Sequence, residues 1–227
     1  MNYSNIRARA REHLRGHWGV SVAAAFVAAI FGALLVSSGN VVEIVKKIGE
    51  EVSAPRVAAL LTLISSAISA VSLVHLILGG VVQLGYSKFL LSQHDGVEYA
   101  VKDLFSQFDR FTVGFLQYFL RNLFVVLWTL LLIVPGIIKS LSYAMTPFIL
   151  ADHPELTAKQ AIRRSMELMD GNKWDLFVLG LSFIGWELLN ALTLGIGSFW
   201  LNPYKNAAYA AFYREITAEK RETYVEF

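Results

Sequence analysis

One apolar stretch, residues 113–151, limits what this chain can fold into more than any other feature. About 39 residues pass with only two charged side chains, Arg121 and Lys139, and Pro135-Gly136 lies near the middle. The hydrocarbon core of a bilayer is about 30 Å thick, and a helix needs about 20 apolar residues to cross it. The stretch is too long for one span and long enough for two short spans that meet at the Pro-Gly pair. It therefore predicts a protein that crosses a membrane more than once.

The composition agrees with a membrane protein and narrows the functional classes. Hydrophobic residues make up 55% of the 227 residues and charged residues 17%, with a mean hydropathy of +0.49. A soluble domain usually has about 25% charged residues. The net charge of +2, without a basic cluster interleaved with aromatic residues, argues against nucleic-acid binding. The chain has no cysteine, which excludes disulfides, thiolate metal sites and cysteine nucleophiles.

Common catalytic and metal-binding motifs do not occur in the sequence. We find no H-E-x-x-H motif, no nucleophile elbow and no phosphate-binding loop. The histidines His13, His17, His94 and His153 do not follow metal-ligand spacing. We therefore expect a protein that is not an enzyme and that holds no metal ion and no cofactor.

The apolar residues fall into four blocks, which we interpret as six membrane spans. The blocks are 18–36, 57–91, 113–151 and 176–213. Proline and glycine can reverse a chain within a few residues, so the Pro135-Gly136 pair and the Gly195–Gly197 break each divide a block in two. The helices expected from this division are 113–134, 137–151, 174–195 and 198–216. The alternative is one kinked helix in each of these blocks, which would overrun the bilayer by about a dozen residues.

The distribution of basic residues predicts the orientation of these spans. Lysine and arginine occur in five segments, which are the N-terminal segment, 39–56, 88–110, 152–173 and the tail. Six spans place four of the five on one side and 39–56, which also contains three glutamates, on the other, so the positive-inside rule predicts cytoplasmic N- and C-termini. A cleaved signal peptide is the alternative for the first block. Its apolar run of about 17 residues is longer than a typical signal-peptide core, and no clear cleavage pattern follows it.

Residues 157–170 predict a short amphipathic helix on the cytoplasmic side. Thr157 and Gln160 have the spacing of a capping box, and Gly171-Asn172 is a typical stop signal. Residues 6–15, followed by Gly16, have the same organisation, and a weaker third copy lies at 101–111. We expect such helices to lie in the head-group plane and to anchor the ends of the hairpins.

Cationic side chains on the polar face of the 157–170 helix are candidates for contact with lipid. Anionic head groups attract lysine and arginine close to the membrane surface. The candidate head-group contacts are Lys159, Arg163 and Arg164.

Polar residues inside the predicted spans form the other candidate site. Glu187 lies about a dozen residues into the fifth span, with Asn190 on the same helical face, and charge at this depth is costly enough to suggest function. Its candidate partners are Arg121, Asn122 and His75. One interpretation is a proton-linked or ligand-binding carboxylate that faces a cavity. The other is a buried acid that is held across helices or kept protonated.

Glycines in two of the predicted spans are candidates for close helix packing. They are Gly79, Gly80 and Gly85 in the second span and Gly180 and Gly185 in the fifth. Small residues at helix interfaces allow two backbones to approach each other closely.

Several blocks of the chain share the pattern of a known group of membrane proteins. The blocks are 127–152, with its Val134-Pro135-Gly136, then 161–177, with its Gly171-Asn172-Lys173-Trp174, and 181–186, 192–197 and 202–204. Together they resemble the bacterial integral-membrane family catalogued as domain of unknown function 975. The resemblance implies a location in the plasma membrane and an unassigned role. The family has no established catalytic residues that could be transferred to this chain.

These observations predict one integral-membrane domain, residues 1–227. We expect an all-α, polytopic transmembrane helical bundle of about six spans, arranged as three hairpins with short cytoplasmic amphipathic helices. The repeat units are 1–92, 98–151 and 157–216. The expected role is a non-enzymatic scaffold or accessory subunit in envelope or lipid processes. The alternative is a small transporter or lipid-handling protein with Glu187 in its cavity. The expected partners are membrane lipids and either another membrane protein or a second copy, but not nucleic acid.

Overall fold

The structure is a computed structural model, and it describes residues 3–31, 55–193 and 195–225. Within these ranges the chain forms helices and turns and has no strand, so the all-α fold class is confirmed. The α-helices in chain order are α1 (Tyr3–Leu14), α2 (Trp18–Ile30), α3 (Pro55–Asp95), α4 (Phe111–Leu131), α5 (Ile133–Ser142), α6 (Thr146–Asp152), α7 (Ala158–Leu168), α8 (Lys173–Leu181), α9 (Ile184–Leu192) and α10 (Ser198–Val225).

Four helical segments of the described chain are long and apolar enough to cross a membrane. They are Val74–Asp95, Val101–Leu131, Ile133–Asp152 and Lys173–Leu192. Helix α2 is apolar but has only 13 residues, and the rest of the predicted first span lies outside the described residues. The predicted sixth span, 198–216, is helical but does not meet the same criteria. A helical bundle that is compatible with a membrane is therefore shown, and the count of six spans stays a prediction.

The hairpin expected within residues 113–151 is present, but its predicted turn position is wrong. The chain reverses at Leu132, whose backbone is extended, and Pro135-Gly136 lies in the first turn of α5. Proline fits there because the first amides of a helix have no intrahelical acceptor. A Cβ atom at Gly136 would lie 2.8 Å from the Cα of Thr129. The missing side chain of Gly136 thus lets the two arms approach each other closely, and Gly136 is not the residue at which the chain reverses.

The second arm of this hairpin also differs from the predicted single helix, 137–151. Helix α5 ends at Ser142, and α6 begins at Thr146 after a turn. At the opposite end of the hairpin, residues 130–134 are all apolar and each is 66–79% exposed. Such an apolar surface is suited to contact with lipid chains.

The division of the fourth block is confirmed at its glycine-rich break. Gly195 has a φ of +86°, a left-handed conformation that glycine adopts at little cost, and its amide donates to the carbonyl oxygen of Asn190 at 2.9 Å. The next helix, α10, begins at Ser198. The first arm, predicted as one helix over 174–195, is interrupted between α8 and α9 at Ser182 and Phe183.

The predicted amphipathic helix after residue 157 is confirmed as α7. The side chain of Thr157 accepts the amide of Gln160, and Gln160 Oε1 accepts the amide of Thr157 at 2.9 Å, which completes the capping box. The helix is followed by Gly171 with a φ of +86°. At the N-terminus, α1 is likewise followed by Gly16 with a φ of +82°. Local sequence signals therefore identify both helices correctly.

The apolar faces of α1 and α7 pack against other helices of the bundle. They are not free to face the head groups of a membrane. Ile6, Ala10 and Leu14 of α1 are fully buried, and α1 contacts α10. In α7, Ser165 is buried, and its hydroxyl donates to the carbonyl oxygen of Ser142 at 2.8 Å. These contacts fix α1 to α10 and α7 to the end of α5.

The weaker third copy at residues 101–111 does not form an amphipathic α-helix. The chain instead makes two short 3₁₀ helices, Val101–Phe105 and Phe108–Arg110. Leu104 is fully buried beside Gly85 of α3, where a Cβ would lie 2.6 Å from the Leu104 carbonyl carbon. Leu104 is therefore withdrawn from the surface, whereas Phe105 and Phe108 are each 40% exposed.

Charged side chains connect three helices at one end of the bundle. Arg214 of α10 donates to Asp95 at the end of α3, with Nε 3.0 Å from Oδ1, and to Asp152 at the end of α6, with Nη1 2.8 Å from Oδ2. Tyr213 also donates to Asp152, at 3.1 Å. We call this the charged end of the bundle, and it places the middle of α10 beside the ends of α3 and α6.

Candidate functional site

The structure distributes the predicted intramembrane polar residues over three helix pairs. His75 of α3 pairs with the carbonyl oxygen of Ile30 in α2, with 2.6 Å between Nε2 and the oxygen. Arg121 of α4 donates to Oε1 of Gln83 in α3 at 3.2 Å. Asn122, the neighbour of Arg121, is half-buried. These residues do not share partners with Glu187, which lies on a separate hairpin.

Glu187 and Asn190 belong to the α9–α10 hairpin. Lys205 donates to Glu187 and forms an ion pair with it. One helical turn closer to the break, Ser198 donates to Oδ1 of Asn190 at 3.1 Å. The acid is thus held across helices, and its partner is Lys205 rather than any of the residues expected from the sequence.

Lys139, the second charged residue of the apolar stretch 113–151, lies over an aromatic ring. Its Nζ is 5.1 Å from the centroid of the Trp128 ring, so the two arms of the α4–α5 hairpin share a cation–π contact. Lys139 does not line the cavity described next.

A cavity of about 490 Å³ lies between six helices of the bundle, α3, α4, α5, α6, α8 and α10. Its walls are mainly apolar, with side chains from α3, α6 and α8 and from the turn before α6. The apolar residues that matter here are Leu90, Met145, Phe148, Leu176 and Phe177. Ligand pockets typically have volumes of about 300–1,000 Å³ and combine apolar walls with a few polar groups. The size and lining of this cavity are therefore those of a binding site.

Polar side chains from four helices face the same space. They include Gln83, Tyr86, Arg121, Ser140, Asn206 and Tyr209. Arg121 is the only charged residue among the lining residues in the described part of the chain, and it lies at the midpoint of α4. At 1.5 Å per residue, the midpoint of that helix is about 15 Å from either end. The cavity therefore has a cation in the middle of a helix that is long and apolar enough to cross a membrane.

Tyr86 has an unusual environment within this cavity. Its side chain is 3% exposed, and its hydroxyl makes no hydrogen bond with any described residue. A buried hydroxyl without a partner costs about 1–3 kcal/mol. In a lined cavity, such a group is a candidate to bond with a ligand or with ordered water.

The described contacts of the Arg121 guanidinium are with uncharged side chains. Its guanidinium carbon lies 5.8 Å from the centroid of the Tyr118 ring, in addition to its hydrogen bond with Gln83. Among the described residues, no carboxylate forms an ion pair with Arg121. Within the described ranges, its charge is therefore compensated by a dipole and an aromatic face.

Gly180 of α8 also lies in the lining and leaves space next to it. A Cβ atom at this position would meet no atom within 4 Å. The same holds for Gly185 of α9, which lies outside the lining. The expectation that these two glycines allow close helix packing is wrong. Gly80, in contrast, does pack closely, because a Cβ there would lie 2.7 Å from the Cβ of Tyr118.

Most of the cavity residues were missed by reasoning from the sequence, although one signal was available. Gln83, Tyr86, Ser87 and Leu90 have the spacing i, i+3, i+4 and i+7, which places them on one face of a helix. Three polar residues on one face of an otherwise apolar helix suggest that this face lines a cavity. Arg121 was predicted as a site residue and Gly180 only as a packing residue, and the other lining residues depend on packing between distant segments.

The candidate head-group contacts of α7 are exposed. Lys159, Arg163 and Arg164 all lie on the solvent-accessible face of the helix, opposite its buried residues. Contact with lipid stays a prediction for these three. Among the described residues, no group of three or more histidine, aspartate or glutamate side chains is placed to hold a metal ion.

Comparison with known proteins yields one match. Residues 130–220 match the family described as "Protein of unknown function (DUF975)", so the resemblance inferred from the sequence is confirmed over this range. No significant match is found among curated proteins or among solved structures. The matched range includes α5 to α9 and most of α10, whereas Tyr86 and Arg121 lie before it.

Proposed function

We propose that this chain, whose residues 130–220 match a family of unknown function, is a multi-pass protein that binds a membrane amphiphile in the cavity beside Arg121. The observation that carries the proposal is the cavity itself, because its volume, apolar walls and few polar groups are those of a ligand site. The proposal adopts the lipid-handling alternative from the sequence. It replaces Glu187 by Arg121 as the charge of the cavity, since Glu187 is not among the lining residues.

The position of the cavity supports an occupant that enters from the membrane. Ser140 and Leu181 are the exposed members of the lining, and both lie inside segments that can span a membrane. At this depth the surroundings of a membrane protein are acyl chains rather than water. An opening there selects molecules that partition into the bilayer. Lipids and other amphiphiles meet that condition, whereas water-soluble metabolites do not.

The location that we propose is a bacterial plasma membrane, with both termini in the cytoplasm. The charged end of the bundle, around Arg214, then faces the cytoplasm together with α1 and α7. This orientation follows the positive-inside rule. It places the cavity between the membrane midplane and the cytoplasmic surface. From this position a bound amphiphile would be presented to the inner leaflet.

A non-enzymatic scaffold or accessory subunit, the expectation from sequence, stays a prediction. It is compatible with amphiphile binding, because a bound lipid can stabilise the surface that contacts a membrane-protein partner or a second copy. The cavity favours lipid handling as the primary role.

Occlusion of the cavity tests the proposal. Gly180→Leu adds a side chain into empty space of the lining, and Gly185→Leu adds the same side chain outside it. Each protein is purified in a mild detergent, and native mass spectrometry counts the lipid that remains bound. We expect about one molecule per chain for the unmodified protein and for Gly185→Leu, and none for Gly180→Leu. Equal retention by both variants, or no retained lipid in any of the three, would contradict the proposal.

A further inference from the structure

We infer that the amphiphile in this cavity is anionic and that its acidic group lies between Arg121 and Tyr86. The inference rests on the proposed function and specifies the ligand class. It depends on two independent features of the lining, a cation without an acidic partner and a buried hydroxyl without a hydrogen bond. The apolar remainder of the cavity then contains the hydrocarbon part of the ligand.

Arg121 provides the charge requirement. A guanidinium has five N–H donors, and the described hydrogen bond to Gln83 uses one of them. Charged residues inside a membrane usually pair with an opposite charge or face a polar cavity. Because no described carboxylate pairs with Arg121, an anionic ligand supplies the compensation that the helices do not. A planar guanidinium also suits the two oxygens of a carboxylate or phosphate group.

Tyr86 provides a second polar group among the residues that line the cavity. Its hydroxyl is buried and has no described partner, and Tyr86 lines the cavity as Arg121 does. Bonds to an ionised acceptor are roughly twice as strong as bonds between neutral groups. An oxyanion next to Arg121 would therefore satisfy Tyr86 as well. A neutral acceptor would satisfy the hydroxyl but would leave the cation uncompensated.

The apolar walls exclude a small inorganic anion as the preferred ligand. Leu90, Phe148 and Phe177 offer contacts for hydrocarbon and no groups that replace water around a phosphate ion. A lipid with one net negative charge, or a fatty acid, combines an acidic group for Arg121 with hydrocarbon for the apolar walls. The shared recognition element is an acidic group attached to a chain of methylene groups.

Titration of defined lipids onto delipidated protein tests the inference. The probes are dioleoylphosphatidylglycerol, dioleoylphosphatidylcholine and sodium oleate, each added in detergent micelles, with inorganic phosphate as a competitor. We expect the anionic phospholipid, oleate or both to bind at least tenfold more tightly than phosphatidylcholine, and inorganic phosphate not to compete. Which of the two anionic probes binds identifies the source of the acidic group. Equal affinity for phosphatidylcholine, or displacement by inorganic phosphate, would overturn the inference.

Matched variants locate the acidic group. Arg121→Gln should lower the affinity for the anionic probe by about ten- to hundredfold and leave that for phosphatidylcholine unchanged. Lys139→Gln, which removes a charge from the same hairpin outside the lining, should preserve the preference. An unchanged preference in Arg121→Gln would refute the assignment.

Tyr86→Phe is a second variant that tests the position of the acidic group, and it can be used if Arg121→Gln does not fold. It removes a hydroxyl that has no described partner, so the midpoint of thermal unfolding without lipid should not fall. The affinity for the anionic probe should fall severalfold, and the control Tyr143→Phe, outside the lining, should have no such effect. A Tyr86→Phe protein with unaltered affinity would contradict the inference.

If Gly180→Leu expels lipid but no charge preference is found, only the anionic assignment fails. If no lipid is retained at all, the proposed function fails with it.

Discussion

The substitution Gly85→Ala tests whether the close packing between α3 and the 101–105 segment holds the fold together. A Cβ at position 85 would lie 2.6 Å from the carbonyl carbon of Leu104 and 2.9 Å from its Cα. Favourable contacts between carbon atoms are about 3.5–4.0 Å long. The segment would therefore have to move away from α3 by about 1 Å. The atoms in contact belong to the backbone, so no change of rotamer relieves the overlap.

The magnitude follows from two opposing effects. Overpacking costs about 1–3 kcal/mol, and the upper part of this range applies here because Leu104 is fully buried. Replacing glycine by alanine within a helix recovers up to about 1 kcal/mol. We expect Gly85→Ala to lower the free energy of unfolding by about 2 kcal/mol. Gly180→Ala, where the new Cβ meets no atom within 4 Å, should raise it by up to about 1 kcal/mol.

The assay is reversible unfolding in mixed micelles, with increasing fractions of a denaturing detergent and helical circular dichroism as the signal. The two alanine variants are compared with the unmodified protein under identical conditions. We expect Gly85→Ala to unfold at the lowest fraction of denaturing detergent and Gly180→Ala at the highest. A Gly85→Ala protein that is as stable as Gly180→Ala would refute the packing account.

Three further predictions concern the charged end of the bundle, the cap of α7 and the orientation in the membrane. Arg214→Gln removes two ion pairs at the charged end and should cost about 1–3 kcal/mol in the same unfolding assay, whereas Arg9→Gln, which removes one exposed pair, should have no measurable effect. Thr157→Ala removes the cap of α7 and should cost about 1 kcal/mol, and Thr157→Ser should not; equal losses would contradict the capping role. For topology, single cysteines can be labelled cleanly because the chain has none. A membrane-impermeant maleimide should label Thr193→Cys in intact cells and Asp170→Cys only after permeabilisation, and the reverse pattern would contradict the proposed orientation.

Local signals were sufficient wherever a few neighbouring residues determine the conformation. Thr157 and Gln160 form a capping box through their own side chains, and Gly16 and Gly171 end helices because they adopt positive φ. Long apolar runs also suffice to predict an all-α bundle, since a membrane requires every backbone group to be bonded internally.

The turn within residues 113–151 shows where local signals fail. Pro135-Gly136 resembles a chain reversal, but proline is equally suited to the first turn of a helix. The reversal takes place at Leu132, a residue type without any turn preference. Its position depends on how the two arms pack, including the approach of Gly136 to Thr129.

The candidate site depends still more on packing between distant segments. Glu187 was recognised as a charge inside a span, but its partner Lys205 follows from the register of the α9–α10 hairpin. The cavity needs α3, α4 and α8 to be placed beside one another before Tyr86 and Arg121 face the same space. No spacing along the sequence encodes that arrangement.

A crystal structure of the protein grown in a lipidic phase, with anionic lipid included, tests the central claim most directly. The account predicts elongated density in the cavity, with an acidic group within hydrogen-bond distance of Arg121 and the hydroxyl of Tyr86, and a chain along Phe148 and Phe177. A cavity filled by the protein's own side chains, or one in which Arg121 pairs with a carboxylate of the same chain, would contradict it.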